Sequence, residues 1–319
     1  MPLYTGGVNL NDFFFNDADI VDQFLNGALW GWGLNGNGQL GDNTSASKSS
    51  PVQTIAGGAN WKQVECGSTH TAAVKNDGTL WLWGLNGNGQ LGDNTVTNRS
   101  SPVQTIAGGA NWKQVECGNT HTAAVKNDGT LWLWGSNSYG KLGDNTVTNR
   151  SSPVQTIAGG TNWSQVSCGQ NHTACVKTDG TLWLWGNNNS SFTPIGDNTF
   201  ISRSSPVQTV AGGTNWSQVS CGRAHTAAIK TDGTLWLWGS NFQGQLGNGS
   251  KSSVAKSSPI QTIAGGDNWK QVSCADYSTA AIKTDGTLWL WGQNTSGTLG
   301  DGTTTEKLSP VQTITGGNT

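Results

Sequence analysis

The pair Trp-Gly recurs along the chain at a nearly constant spacing. Successive tryptophans of this pair are 51, 51, 51, 53 and 53 residues apart. They are Trp32, Trp83, Trp134, Trp185, Trp238 and Trp291. A repeat of this length folds as one supersecondary unit, which cannot bury its apolar surface alone and must pack against its neighbours. The six units end near residues 59, 110, 161, 214, 267 and 319.

Each unit contains four short segments of β-strand character. In the second unit they are Trp61–Gly67, His70–Lys75, Thr79–Gly84 and Pro102–Ile106. These segments are rich in β-branched and aromatic residues and are bounded by Gly, Asn or Asp, which is typical of strands. No stretch has the 3.6-residue period of a helix, so we expect very little helix.

The third segment has two apolar faces. In Leu80-Trp81-Leu82-Trp83 the leucines point to one side and the tryptophans to the other. The preceding Asp77-Gly78 favours a type I′ hairpin, because both residue types tolerate a positive φ. The sequence therefore predicts an antiparallel pair in the middle of each sheet, covered by neighbouring sheets on both sides.

An all-β, six-bladed β-propeller of four-stranded antiparallel blades satisfies these requirements. Each tryptophan face then covers the leucine face of the next blade. A linear stack would expose a sheet at each end, and no polar capping unit is visible. We assign residues 29–319 to this repeat propeller.

Residues 1–28 look different from the repeats, yet their register can be followed. Subtracting one repeat length places Leu10–Phe13 on Trp61–Val64 and Asp19–Phe24 on His70–Lys75. We expect two diverged strands that complete the first blade. The alternative is a small β-repeat that docks to a partner, since Tyr4, Phe14 and Phe24 recur every ten residues.

The composition narrows the classes of partner. Charged residues make up 11% of the chain and the formal net charge is −2. Without a basic stripe there is no electrostatic basis for binding nucleic acid. The chain has no basic, apolar leader and no stretch long enough to cross a bilayer, so we expect a soluble protein without membrane insertion.

Cysteine and histidine recur at fixed repeat positions. One thiol per blade is a poor geometry for disulfides, and the Cys-x-x-Cys spacing of zinc sites is missing, so we interpret the ring of repeated cysteines as structural. We interpret the ring of repeated histidines as structural as well. Four equivalent histidines suit a repeated hydrogen bond rather than one catalytic base. The two rings are Cys66, Cys117, Cys168, Cys221 and Cys274, and His70, His121, His172 and His225.

No residue pattern points to catalysis, a cofactor or a metal. The Gly-Asp-Asn-Thr loops offer one carboxylate each, as at Asp93, too few for a tight calcium site. The 17 tryptophans are expected to pack between blades, although exposed tryptophans would suit a lectin. We predict that the protein is not an enzyme.

Variation between units concentrates in the loop that follows Trp-Gly. All length differences fall in this loop, and loops on a rigid scaffold commonly carry function. We therefore predict that these loops share one face and form the binding surface, although neutral drift would give the same variation. The candidate binding residues are Asn187, Asn189, Phe192, Phe200, Phe242, Lys251 and Lys256.

Two repeated motifs resemble the regulator of chromosome condensation repeat family. They are Trp-Gly-x-Asn-x-x-Gly-Gln-Leu-Gly, as in Trp83–Gly92, and Cys-Gly-x-x-His-Thr, as in Cys66–Thr71. The resemblance implies a propeller, commonly of seven blades, whereas six units are counted here. The family's eponymous member is a nucleotide-exchange factor that binds chromatin. Without a basic tail or a protruding insertion, this activity is not expected here.

The near-identity of the units also resembles repeat proteins encoded by bacteriophages. We therefore expect a non-enzymatic binding or structural protein of a phage virion, in a tail or fibre, that contacts other virion proteins or a host receptor. A cellular adaptor or exchange factor, which would be cytoplasmic, and a carbohydrate-binding lectin that takes a surface glycan are the alternatives.

Overall fold

The computed structural model describes residues 28–58, 60–190 and 192–314. The predicted N-terminal strands therefore lie outside the described residues. Blade 1 contains β1 (Trp30–Gly33) and β2 (Lys48–Gln53). The strands of blades 2 to 4 are β3 (Trp61–Cys66), β4 (His70–Lys75), β5 (Leu80–Gly84), β6 (Arg99–Gln104), β7 (Trp112–Cys117), β8 (His121–Lys126), β9 (Leu131–Gly135), β10 (Arg150–Gln155), β11 (Trp163–Cys168), β12 (His172–Lys177), β13 (Leu182–Gly186) and β14 (Arg203–Gln208).

Blades 5 and 6 repeat the same order. Their strands are β15 (Trp216–Cys221), β16 (His225–Lys230), β17 (Leu235–Asn241), β18 (Ser252–Gln261), β19 (Trp269–Cys274), β20 (Ser278–Lys283), β21 (Leu288–Gly292) and β22 (Lys307–Gln312). Blades 2 to 6 are four-stranded sheets with each strand beside its sequence neighbour, and blade 1 shows two strands among the described residues. All pairings are antiparallel, as in β4 with β5. The predicted all-β propeller fold is confirmed.

Two local predictions differ from the structure. The fourth strand of blade 2 begins at Arg99 rather than at Pro102, because Arg99 pairs with Gly84 across an irregularity in the register. The hairpin is present, but it is not a type I′ turn, since Gly78 has a positive φ of 79° and Asp77 does not. Instead, the Asp77 carboxylate accepts hydrogen bonds from the Thr79 N–H, at 2.9 Å, and from its hydroxyl.

The core consists of layers between successive blades. Leu80 and Leu82 of blade 2 pack against Trp112, Val115 and Trp134 of blade 3. Leucine side chains of one blade therefore pack against tryptophan side chains of the next blade, as the alternation in β5 predicted. Each fully buried side chain of this size contributes about 1.5–3 kcal/mol, so the layers are the main source of stability.

Buried hydrogen bonds join the same blades. The His70 ring Nε2 lies 3.0 Å from the Thr122 hydroxyl of blade 3. The Gln63 amide donates to the Val115 carbonyl at 3.0 Å and accepts from the Val115 N–H at 3.1 Å. Because polar groups buried without partners are costly, these bonds fix the angle between blades as well as their contact.

Candidate functional site

Two kinds of connection lie at the same end of the blades. β3 ends at the Cys-Gly turn that leads into β4, and β5 ends at the Trp-Gly loop. The Leu85 N–H, at the start of this loop, donates to the Thr69 carbonyl in that turn at 2.8 Å. We call this end of the propeller the loop face. The opposite end carries the Asp-Gly hairpins and is called the turn face.

A polar clasp holds each Trp-Gly loop in shape. In blade 2 the buried Asn86 amide donates to the Asp93 carboxylate at 3.0 Å, and its carbonyl accepts from the Leu91 N–H. The same carboxylate pairs with Arg99 at 2.8 Å. Burial alone would raise the pKa of Asp93, but hydrogen bonds from Thr95, Arg99 and Asn86 outweigh it and lower the pKa below 3.8. The Asp93 carboxylate therefore stabilises the conformation of its own Trp-Gly loop.

The predicted binding residues lie in blades 4 and 5, and all of them except Lys256, which is in β18, are on the Trp-Gly loops of the loop face. The side chains of Phe200 and Phe242 are 54% and 39% exposed, and Asn189, Lys251 and Lys256 are also exposed. Asn187 is buried and Phe192 is half-buried, because their loop folds back toward blade 5. Lys251 forms an ion pair with Glu306 of the neighbouring blade 6.

The loop face opens into a central cavity. Its volume is about 250 Å³, and blades 2 to 6 all contribute to its wall. Four of the repeated cysteines line it: Cys117, Cys168, Cys221 and Cys274. Above the cysteines, toward the loop face, the wall is polar.

One repeat position at this cavity differs in every blade that contributes to it. It is the second residue after the repeated cysteine, and we call the set the channel mouth. The channel mouth consists of Ser68, Asn119, Gln170, Arg223 and Asp276. The residue that follows also varies, being Thr69, Thr120, Asn171, Ala224 and Tyr277. By contrast, the cysteine before this dipeptide is constant in these five units.

The sequence analysis missed the channel mouth because it looked for variation in loop length. A comparison of the units position by position contains the signal. Outside the Trp-Gly loops the strand segments of the units are nearly identical, so a dipeptide that differs in five of five copies stands out. The structure shows what the sequence alone could not, which is that these dipeptides lie around one cavity.

The cations of the channel mouth are held in fixed positions. The Arg223 Nε donates to the Gln170 side-chain carbonyl at 3.2 Å, and its guanidinium lies 5.2 Å from the centre of the Tyr277 ring. Beneath them, the buried Lys141 ammonium donates to Thr120 and Asn171 at 3.1 Å. Burial lowers the pKa of Lys141 to about 8. Arg223 and Asp276 are therefore the charged residues of the channel mouth, and Lys141 lies buried beneath it.

The cysteine and histidine rings are in states that do not suit catalysis. Burial raises the pKa of Cys274 to about 12, so its thiol is protonated at neutral pH. Burial lowers the pKa of His70 to about 4, and its ring contacts a threonine rather than a nucleophile. Among the described residues, no group of three or more His, Cys, Asp or Glu side chains could hold a metal ion. What the site offers is a cavity with a polar wall.

Comparisons with known proteins identify the relatives of the chain. Residues 20–318 match the family described as RCC1-like domain. The ultraviolet-B receptor UVR8 of Arabidopsis thaliana is 36% identical over 287 residues, which cover 88% of this chain and 64% of the receptor. The X-linked retinitis pigmentosa GTPase regulator homolog of Caenorhabditis elegans is 27% identical, over 86% of this chain and 23% of its own length. The chain thus spans less than two thirds of these curated relatives.

Solved structures show the same fold. Human WBSCR16 superposes with a TM-score of 0.78 and 23% identity, covering 94% of this chain and 78% of that one. Prp20p of Saccharomyces cerevisiae superposes with a TM-score of 0.78 and 18% identity, covering 90% and 73%.

None of the helices within the described residues is long and apolar enough to cross a membrane.

Proposed function

Because the chain belongs to the RCC1-like domain family, we propose that it acts by binding a protein partner through its loop face, with the channel mouth at the centre of the contact. The observation that carries this proposal is the dipeptide that differs in every contributing blade. Because these unequal residues surround one cavity, they make the five contributing blades inequivalent at the loop face. A partner of low symmetry can then be recognised in one register.

The surroundings of the mouth suit a protein more than a small molecule. The cavity itself is small, whereas the surrounding loops present exposed apolar side chains to solvent. These are Val96, Val147, Phe200, Ile201 and Phe242. Polar anchors together with apolar and aromatic contacts are the usual composition of a protein interface.

The relatives support the adaptor hypothesis better than the virion hypothesis. They include a receptor and a GTPase regulator homolog. Among the structural neighbours, Prp20p has binding properties toward Gsp1p and histones. None of this supports a phage tail, a host receptor or a glycan as the partner. We therefore favour a regulatory, non-enzymatic role in a cell.

The proposal is tested by comparing two sets of substitutions on the whole chain. The mouth variant carries Gln170→Ala, Arg223→Ala and Asp276→Ala. The control carries Lys62→Ala, Lys113→Ala and Lys270→Ala, which are exposed at the turn-face ends of β3, β7 and β19. Both variants must keep the wild-type melting temperature within about 3 °C.

Affinity capture from cells of the source organism identifies partners, and the affinity of each purified partner is then measured. We expect the mouth variant to bind at least tenfold more weakly and the control to bind like the wild type. Equal binding by all three proteins would contradict a loop-face site. Glycan binding that is abolished by Phe242→Ala or Phe192→Ala would favour the lectin hypothesis instead.

A further inference from the structure

One of the six polar clasps differs chemically from the others. In five blades an aspartate accepts the buried asparagine amide and also pairs with a cation at the start of the outer strand, at distances of 2.7–3.3 Å. These ion pairs are Asp42–Lys48, Asp93–Arg99, Asp144–Arg150, Asp197–Arg203 and Asp301–Lys307. In blade 5 the place of the aspartate is taken by Asn248. The fifth clasp therefore lacks a carboxylate.

Asn248 has the position of the aspartate without its charge. Its side-chain oxygen accepts the Asn241 amide at 3.0 Å, which is the bond that the aspartates accept in the other blades. It also accepts the Ser250 N–H and hydroxyl at 3.3 and 3.1 Å. The Thr95 N–H and hydroxyl lie closer to Asp93, at 3.0 and 2.7 Å. The longer bonds in blade 5 are those expected for a neutral acceptor.

The cation of the fifth clasp has no carboxylate partner among the described residues. Lys256 stands opposite Gly239 in the sheet, which is the pairing that the clasp cation makes in the other blades. A lysine at this position reaches its aspartate in blades 1 and 6, at 3.3 and 2.9 Å. The other lysine of the loop, Lys251, pairs with Glu306 of blade 6 instead. An oxygen in place of the Asn248 side-chain nitrogen would give Lys256 its missing partner.

The residue that follows Asn248 makes hydrolysis of its amide accessible. The backbone nitrogen after an asparagine can attack the side-chain carbonyl carbon, and this attack is least hindered when the next residue lacks a Cβ atom, as Gly249 does. A Cβ atom on Gly249 would have one described neighbour within 4 Å, the flexible end of the Ile263 side chain. Gly249 is exposed and Asn248 is half-buried, so water reaches both.

We propose that Asn248 is a site of spontaneous deamidation and that the aspartate formed there completes the clasp of blade 5. Deamidation replaces the side-chain nitrogen by an oxygen and leaves the rest of the side chain unchanged. The new carboxylate then accepts from Lys256, as Asp42 accepts from Lys48 in blade 1. Blade 5 thus acquires by a chemical modification the ion pair that the other five blades encode.

The reaction needs only water. The Gly249 nitrogen attacks the Asn248 Cγ and closes a succinimide ring, and the side-chain nitrogen takes up the released proton and leaves as ammonia. Water then adds to the Cγ carbonyl and breaks the new Cγ–N bond, which leaves the backbone peptide bond intact and the side chain as a carboxylate. The donors from Asn241 and Ser250 polarise the Cγ carbonyl, so both additions are favoured at this carbon.

A backbone hydrogen bond controls when the reaction can occur. The Gly249 N–H donates to the Leu308 carbonyl at 2.8 Å, across the junction between blades 5 and 6. This bond must open before the nitrogen can attack, so the rate of deamidation reports local opening of the junction. Once the carboxylate has formed, its ion pair with Lys256 holds the loop in place. The modification therefore stabilises the blade in which it occurs.

The four other Asn-Gly pairs of the described chain are protected by their packing. The buried Asn86 amide donates to Asp93 at 3.0 Å, and deamidation there would place two carboxylates side by side. The glycine after Asn88 is buried, and its N–H donates to the Asn86 carbonyl at 2.8 Å. A Cβ atom on that glycine would overlap the backbone of Ser151. The equivalent pairs of blade 1 begin at Asn35 and Asn37.

Peptide mass spectrometry of the purified full chain during incubation at mildly alkaline pH tests the proposal. We expect Asn248 to deamidate at least tenfold faster than Asn86 and Asn88, with aspartate rather than isoaspartate as the main product. Incubation in denaturing urea is the control, because all Asn-Gly pairs should then react at similar rates. An intact Asn248, a rate no faster than that of Asn88, or isoaspartate as the main product would each overturn the proposal.

The stability of variants tests the completed clasp without waiting for the reaction. Asn248→Asp should raise the melting temperature by about 1–3 °C, because it adds one partly exposed ion pair. The same substitution in a Lys256→Ala background is the matched control and should give no gain. Absence of a gain in the original chain, or a gain that persists without Lys256, would show that the carboxylate does not complete the clasp.

Discussion

At the scale of single residues, buried titratable groups determine how stability depends on pH. Burial lowers the pKa of His172 and of His225 to about 3, that of His70 to about 4, and that of His121 well below its usual 6.5. The unfolded chain therefore binds more protons below about pH 6.5, and stability is lost as the pH falls from there toward 3–4. Each histidine removes about 1.4 kcal/mol per pH unit in this range.

We therefore predict a steep loss of stability between pH 6 and pH 4. Urea unfolding at half-unit pH intervals measures it. The His121→Gln variant, which lacks one of the four groups, should show a slope that is shallower by about 1.4 kcal/mol per pH unit. Stability that stays constant from pH 6 to pH 4 would contradict the burial of neutral histidines.

Glu116 makes stability depend on pH in the opposite direction. Burial raises its pKa to about 8, so it is protonated in the folded protein at neutral pH, and the stability that it contributes falls as the pH rises from about 4.5 through 8. Ser167, Ser220 and Ser273 occupy the same position in other blades. The Glu116→Gln variant keeps an acceptor for the Gln114 amide, which lies 3.1 Å from Glu116. We expect it to be more stable than the wild type by about 1–3 kcal/mol at pH 8.

Thermal unfolding at pH 8 and at pH 5 provides the measurement. The gain should shrink at pH 5, where the carboxyl of the unfolded wild type is already partly protonated. Glu65, at the same position in blade 2, is half-buried, and Glu65→Gln serves as the control with a smaller gain. An equal gain for both variants would argue against a burial effect.

At the scale of strands and turns, most of the fold could be predicted from the sequence. The Leu-Trp-Leu-Trp alternation in β5 specifies both its strand character and its two neighbours. The start of β6 could not be predicted, because Arg99 enters the strand only by pairing with Gly84 across an irregular register. The channel mouth depends on how far β3 and its equivalents converge, which is a property of the whole ring. Only its variability was visible in the sequence.

The glycines of the Trp-Gly loops test the junctions directly. Gly143 and Gly159 belong to the same unit and have positive φ values of 69° and 52°, so alanine strains the backbone at both, by about 1 kcal/mol. A Cβ atom on Gly143 would lie 2.8 Å from the Trp185 indole nitrogen, whereas one on Gly159 meets open space. Gly143→Ala should therefore cost a further 1–3 kcal/mol, roughly.

The midpoints of guanidinium unfolding of the two variants give this difference, with unchanged slopes as a check on two-state behaviour. Equal losses of stability would mean that the Trp185 side chain moves to accommodate the methyl group. The contact between the two blades would then be less tightly packed than its geometry indicates.

At the scale of the whole molecule, each blade contacts only the blades next to it in sequence among the described residues, as in a linear repeat protein. Stability is then a sum of blade terms and junction terms, and unfolding begins where a junction term is smallest. Blades 1 and 6 flank the one junction that the described residues do not build, and Leu288 is more exposed there than Leu131 is in blade 3.

We therefore predict that partial unfolding starts at blades 1 and 6 and moves inward. Native-state hydrogen exchange in low concentrations of guanidinium should show β1, β2 and β20 to β22 exchanging through the smallest opening free energy, and β8, β9, β12 and β13 through the largest. The gradient should be symmetrical about the junction of blades 3 and 4, because that junction is the farthest from both edges. Uniform opening free energies across all blades would mean that the ring is closed by a sixth junction as strong as the other five.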